Sequence, residues 1–218
     1  NYATADVDAT SSNASVTGDA DYDAAASTVS FAEEVLTQTI TIAVNGDDVD
    51  EGASQTFTVD LSNPANGSLA TDGTDSGTGT ITDDEVTPTV AIADVTVGAE
   101  GAASTSQTAS PALTLTGISE FTLTADYATT DGTATTADGD YTAATGTASF
   151  APGDTTETVD LAVTVAGDDR DEFDETITVT LSNPSAELSL GPARRQSPSP
   201  TTTILRPSRS GEKKKKDE

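Results

Sequence analysis

Gln55-Thr-Phe-Thr-Val-Asp-Leu-Ser-Asn-Pro64 and Glu175-Thr-Ile-Thr-Val-Thr-Leu-Ser-Asn-Pro184 decide the fold of this chain. In each, apolar residues fall at every second position: Phe57, Val59 and Leu61, then Ile177, Val179 and Leu181. Thr, Asp and Gln stand between them, which is the pattern of a strand with one face buried and one wet. Working outward, the same period of two appears at Ile40, Ile42 and Val44, and at Val159, Leu161, Val163 and Val165. Gly, Asp, Asn and Pro punctuate these runs at short intervals, and helix signals are missing. The reading is all-β, built as antiparallel sandwiches.

The two stretches belong to a longer repeat. Asp21-Tyr22 aligns with Asp140-Tyr141, Phe31 with Phe150, Asp47-Asp48 with Asp168-Asp169, and Glu51 with Glu172. The spacing, about 120 residues, sets the module length and divides the 218 residues into two tandem copies. The first copy spans residues 1–85 and the second 86–191. The first opens inside a strand and reads as truncated at its N-terminus. The second loses the expected pattern after Leu190-Gly191 and reads as truncated at its C-terminus. Residues 192–218, rich in Pro, Ser and Thr and ending in Lys213 to Lys216, read as a disordered basic tail or a lapse in the reading frame. With few aromatic residues available, Phe31, Phe57, Phe121, Phe150, Tyr22, Tyr127 and Tyr141 are expected to fill much of the cores. Tyr22 and Tyr141 also suit a second task, fixing the loop that presents the preceding Asp.

Charge narrows the function. The net charge is −28, and residues 1–192 hold one basic residue, Arg170, against 34 acidic ones. Such a body repels nucleic acid and anionic membranes and attracts cations. There is no Cys and no His, which removes disulfides, thiolate or imidazole zinc sites and most nucleophilic catalysis. No apolar run is long enough to span a membrane, so no direct membrane insertion is expected. Many acids recur at equivalent positions in turns, notably in Gly46-Asp-Asp-Val-Asp-Glu51 and Gly167-Asp-Asp-Arg-Asp-Glu172. Oxygen-rich loops of this kind suit calcium, which accepts six to eight hard oxygens in uneven geometry. The same acidity also serves a metal-independent module that stays soluble in salt.

Tyr127-Ala-Thr-Thr-Asp-Gly-Thr-Ala134, Asp140-Tyr141, Thr147-Ala-Ser-Phe150-Ala-Pro-Gly153, Gly167 to Glu175 and Leu181-Ser-Asn-Pro184, in that order, resemble the Calx-beta module. A more divergent version covers the first copy. The resemblance implies an immunoglobulin-like β-sandwich with calcium (Ca²⁺) in the loops at one end. Such modules are found in sodium/calcium exchanger regulatory loops, an integrin beta subunit and long bacterial surface proteins. Carried onto this chain, the ligands in the second copy are Glu100, Asp140, Asp168, the carbonyl of Arg170, Glu172 and Glu175. In the first they are Asp21, Asp47, the carbonyl of Val49, Glu51 and the acidic close Asp83-Asp84-Glu85. The first copy lacks an early Glu and has Gln55 where the second has Glu175; the second lacks the acidic close. The expectation is a calcium-rigidified spacer and adhesion scaffold, extracellular or at a cell surface, with no catalytic role. Its partners would be calcium, neighbouring modules of a longer chain, and a surface protein or glycan. The rival readings are the metal-independent acidic module and an intracellular calcium-sensing regulatory domain.

Overall fold

A computed structural model describes residues 1–11, 20–52, 54–98, 102–155, 161–168 and 172–191, and the backbone of 201–206. The described residues form strands and turns and contain no helix. In the first copy the strands are β1 (Tyr2–Asp6), β2 (Ala26–Ser27), β3 (Val49–Asp50), β4 (Ser54–Leu61) and β5 (Ser76–Thr82). The second begins with β6 (Thr89–Ile92), β7 (Val95–Thr96), β8 (Ser106–Ala109), β9 (Leu113–Thr116) and β10 (Ile118–Ser119). It continues with β11 (Leu123–Asp131), β12 (Thr145–Phe150), β13 (Val163–Ala166), β14 (Glu175–Ser182), β15 (Ser189–Leu190) and β16 (Thr201–Arg206).

Each copy contains the same sheet. The first orders its strands β2-β1-β4-β5, the second β12-β11-β14-β16, with β7 added outside β16. The registers match as well as the order. Tyr2 lies opposite Leu61 as Tyr127 lies opposite Leu181, and Phe57 opposite Gly79 as Ile177 opposite Ile204. Because side chains alternate across a strand, equal register puts equivalent residues on the same face. Ile177, Val179 and Leu181 are all fully buried, so the alternation read from the sequence is the alternation that folds.

The second copy closes this sheet with another layer: β15-β6-β9 and the β13-β8 ladder. Val90, Leu113, Leu115, Val163 and Val165 from that layer meet Leu123, Phe150, Ile177 and Leu181 in one core. Among the described residues of the first copy there is no counterpart of β6, β8 or β9, and its core is smaller. Ala9, Tyr22 and Phe57 are buried there, with Ile42, Val59 and Ile81 packed alongside. Tyr22 and Phe57 stack with ring centroids 4.3 Å apart. The partner of Phe57 across the ladder is Gly79, and a Cβ at that glycine would lie 2.4 Å from the Phe57 ring. Glycine is there to admit the ring.

Four sequence expectations change. Ile40, Ile42 and Val44 do not form a strand; only a bridge between Tyr22 and Val44 marks the place. The equivalent bridge in the second copy, Tyr141 to Val165, continues into β13, which β8 pairs along its length. A strand without such a neighbour has no ladder to join. Phe31, aligned with the fully buried Phe150, is 58% exposed, without a covering layer among the described residues of the first copy. Phe121 is 39% exposed and lies at the junction of the copies, against Gly52. Lastly, the second copy does not stop at Gly191. Thr201-Thr-Thr-Ile-Leu-Arg206 forms β16 beside β14, the place β5 holds in the first copy. A six-residue run that opens with four β-branched residues, Thr201 to Ile204, was obscured by the prolines on both sides of it and by the lysines that follow.

Two substitutions measure these cores. Ile177→Ala should cost about 2–5 kcal/mol, as deletions of buried aliphatic groups do. Gly79→Ala should cost about 1–3 kcal/mol by driving Phe57 off Tyr22. Urea unfolding followed by circular dichroism reads both; an unchanged midpoint for either would contradict the packing described.

Candidate metal centre

The site in the second copy begins where β11 ends. Asp131 accepts a hydrogen bond from the hydroxyl of Tyr141 at 2.7 Å and another from Thr136 N–H at 3.1 Å. The hydroxyl holds the buried Tyr141 in place, and with it Asp140, the residue before it. Asp140 is itself buried, and its Oδ2 accepts from Thr135 N–H at 2.8 Å while its own N–H donates to the Thr135 carbonyl at 3.2 Å. The first copy repeats the device. Tyr22 donates to Asp6, Ser11 N–H donates to Asp6 at 3.1 Å, and Thr10 N–H donates to Asp21. The proposed role of the paired tyrosines thus has a geometry: each is tied to an Asp that the sequence reading had not singled out.

Asp140 meets Glu172 and Glu175 so closely that one oxygen from each lies within 4.8 Å of the others. Asp140 comes from the loop before β12, Glu172 from the turn after β13, and Glu175 from the first position of β14. Asp168 and Asp138 act electrostatically on Glu175 as well. Glu100 and Arg170 lie outside the described residues. In the first copy, Glu51, the equivalent of Glu172, groups instead with Asp83 and Glu85 of the acidic close, again within 4.8 Å. Asp21, Asp47, Glu51, Asp83, Asp84 and Glu85 all line one small cleft of about 40 Å³. Asp47 shapes its own turn by accepting from the N–H of Val49 at 2.8 Å, and Asp83 accepts from Glu51 N–H at 3.1 Å. Val49 is buried in β3.

Both clusters are electrostatically costly as bare carboxylates. Glu175 is pushed up to about 7, first by burial and then by the charges of Asp140, Glu172, Asp138 and Asp168. Glu85 is also raised, chiefly by burial, with Asp84 and Asp83 adding to it. Two carboxylates about 4–5 Å apart repel by about 1 kcal/mol in water and by about 4 kcal/mol at an effective dielectric near 20. The donors are hard oxygens only, drawn from loops at one end of each copy, with no nitrogen or sulfur among them. That set suits a cation such as calcium and does not suit zinc. The sequence reading missed Asp138, Asp131 and Asp6 because each acts on a neighbour; Asp6 and Asp131 do repeat, in Tyr2-Ala-Thr-Ala-Asp6 and Tyr127-Ala-Thr-Thr-Asp131, a signal that could have found them. It also passed over Asp50, buried beside the first cluster.

The Calx-beta domain family matches this chain over residues 1–85 and 105–207. The second match runs through β16. Among solved structures, the chain is similar to an apo-form Calx CBD1 domain, at 24% identity over 55% of this chain and 96% of that one, with a TM-score of 0.42. It is also similar to the calcium binding domain CBD12 of CALX1.1, at 19% identity over 93% of this chain and 84% of that one, with a TM-score of 0.36. CBD12 from CALX1.2 matches at 19% identity over 94% and 85%, with a TM-score of 0.39. No curated protein matches the chain.

The raised Glu175 sets a pH dependence for the metal-free protein. Its folded value lies above the ordinary 4.5, so the folded state holds its proton more tightly than the unfolded chain. Its contribution to stability is therefore complete below pH 4.5 and lost as the pH rises through about 7. In EDTA, the thermal midpoint should fall between pH 5 and pH 8, and Glu175→Gln should flatten that fall. A midpoint that rises with pH over this window in the parent chain would contradict the assignment.

Proposed function

The chain belongs to the Calx-beta domain family, and from that membership and its two carboxylate clusters we propose that it binds calcium and uses the ion to stiffen a string of β-sandwich modules. Asp140, Glu172 and Glu175, with Asp168, would hold the ion in the second copy. In the first copy, Glu51, Asp83 and Glu85 would do so, with Asp21 and Asp47 lining the same cleft. The observation that carries the reading is convergence. In each copy two segments more than 30 residues apart, Asp140 with Glu172 and Glu175 and Glu51 with Asp83 and Glu85, bring their carboxylates within 4.8 Å, although like charges repel.

What the ion supplies is a reversal of that repulsion. Without it, the loops are pushed apart; with it, the same charges become attractive and each end of a sandwich is ordered. The mechanical consequence follows from where the first cluster sits. Asp83 follows the last residue of β5, and β6 begins at Thr89. An ion held at Asp83 and Glu85 therefore acts on the short connection between the two copies, leaving little free chain to bend. We read the result as a spacer and adhesion scaffold of an extracellular or cell-surface protein, with no catalytic role. The absence of His and Cys and the repetition of the acidic turns support a structural task over an enzymatic one. Among the described residues no helix is long and apolar enough to cross a membrane.

Scanning calorimetry on the whole chain tests this. Millimolar calcium should raise the thermal midpoint by several degrees over EDTA, and magnesium should not match it, since binding only the folded state at about 100 times the dissociation constant adds about 2.7 kcal/mol. Asp140→Asn should remove part of the rise and Asp83→Asn another part. Equal midpoints in calcium and EDTA would leave an acidic module that needs no metal.

A further inference from the structure

Among the described residues, one apolar face of the first copy lies open. In the second copy Ile177, Val179 and Leu181 of β14 are fully buried, packed in one core with Val90, Ala109 and Leu113 of β6, β8 and β9. Their counterparts in β4, namely Phe57, Val59 and Leu61, line a groove of about 500 Å³. Ile40, Ile42 and residues 75–79 line it as well. The strands that cover this face in the second copy have no equivalent among the described residues of the first.

Two backbone edges border the groove. β5 is the last strand of its sheet, whereas β16, in the same place, is paired in parallel by β7, with Ile204 beside Val95 and Leu205 beside Thr96. Residues 42–45 match β13 through the shared tyrosine bridges, and β13 is paired along its length by β8. The groove-facing positions of β5 are glycines. Gly77 lies opposite Val59 and Gly79 opposite Phe57, at the ladder positions where β16 has Thr202 and Ile204. Cross-strand partners share a face, so Gly77 faces the groove, and a Cβ there would meet open space. Ser76–Thr82 also contains no charge and no proline, the devices that blunt an exposed edge. An unblunted edge beside an open apolar groove suits the addition of a strand.

We propose that this groove takes an extended segment of another polypeptide, apolar at alternate positions, laid parallel to β5 as β7 lies beside β16. The shared register sets an apolar residue beside Gly79, where the second copy has Val95 beside Ile204. Val95 packs against the core of the second copy; its counterpart would meet the ring of Phe57, which lies over Gly79. A second copy of this chain fits less well. Joining two β5 edges antiparallel would set Asp75 of each against Asp83 of the other, between bodies of net charge −28.

The probe is a fluorescein-labelled peptide with the sequence Pro88-Thr-Val-Ala-Ile-Ala-Asp-Val-Thr-Val-Gly98, titrated with the whole chain and followed by anisotropy. It should bind saturably, and a peptide of the same composition with its apolar residues in one block should bind about tenfold more weakly or worse. Gly77→Lys puts bulk and charge into the open groove, so it should keep the thermal midpoint and weaken the peptide by about tenfold or more. Val59→Thr, close in shape and equally suited to a strand, should weaken it by about threefold or more. Absence of saturable binding, equal binding of the two peptides, or binding to Gly77→Lys as to the parent would each overturn the proposal. So would a dimer in sedimentation that Gly77→Lys dissolves, because it would place a second copy of the chain in the groove.

Discussion

Repulsion between carboxylates that the backbone will not let separate is the constraint on which this protein turns. A surface acid can swing away from its neighbour into water at almost no cost. Asp140 cannot, because it is buried and its Oδ2 is engaged by Thr135 N–H. Glu175 begins β14, a strand paired on both sides by β11 and β16. Fixing both residues on rigid elements holds their charges together whatever the solvent offers. Ladder hydrogen bonds and a full apolar core supply the force that opposes the repulsion, so folding energy is spent at one end of the sandwich.

The tyrosines show how that placement is enforced in both copies. Tyr22 and Tyr141 are buried, and each ties its hydroxyl to an Asp at the end of the neighbouring strand. A buried hydroxyl needs a partner, and an acid at a strand end gains a donor, so each group answers the other's requirement. The charges respond accordingly. The Tyr22 hydroxyl holds Asp6 below the usual carboxylate range, while burial first and then Asp131 push Tyr141 up to about 12. The acid that precedes each tyrosine inherits its position from this arrangement. Substituting the tyrosine would therefore disturb the cluster although the ring adds no carboxylate to it.

How much of this was legible depended on whether the signal was local. Phe57, Val59, Leu61 and their counterparts in β14 announce strands because alternation is a property of a few consecutive residues. The acids of the Gly-Asp-Asp-x-Asp-Glu turns were legible because they occur twice. Phe31 was misjudged because its burial depends on a covering layer that the second copy has and the first does not, which no reading of its neighbours reveals. β16 was missed for the opposite reason: its own six residues are good strand formers, but their surroundings resemble an unstructured tail. Asp50 was visible in the motif, yet its burial depends on pairing with Ser119, more than 60 residues away.

The two copies, alike in sheet order and register, are unequal in what holds them. The second has two layers and a large core, so its cluster sits on a scaffold that is rigid before any ion binds. Among its described residues the first has one sheet of its own and a few packed side chains, and its acidic turn leans on the second copy through β3 and β10. Stability in the first copy therefore depends on its neighbour, and the neighbour's grip falls on the residues that line the first cluster. In such an arrangement the carboxylate cluster and the docking of the copies share one short turn, from Asp47 to Gly52. Whatever orders that turn strengthens the junction, and whatever strains the junction loosens the turn, because the two are linked through one free energy.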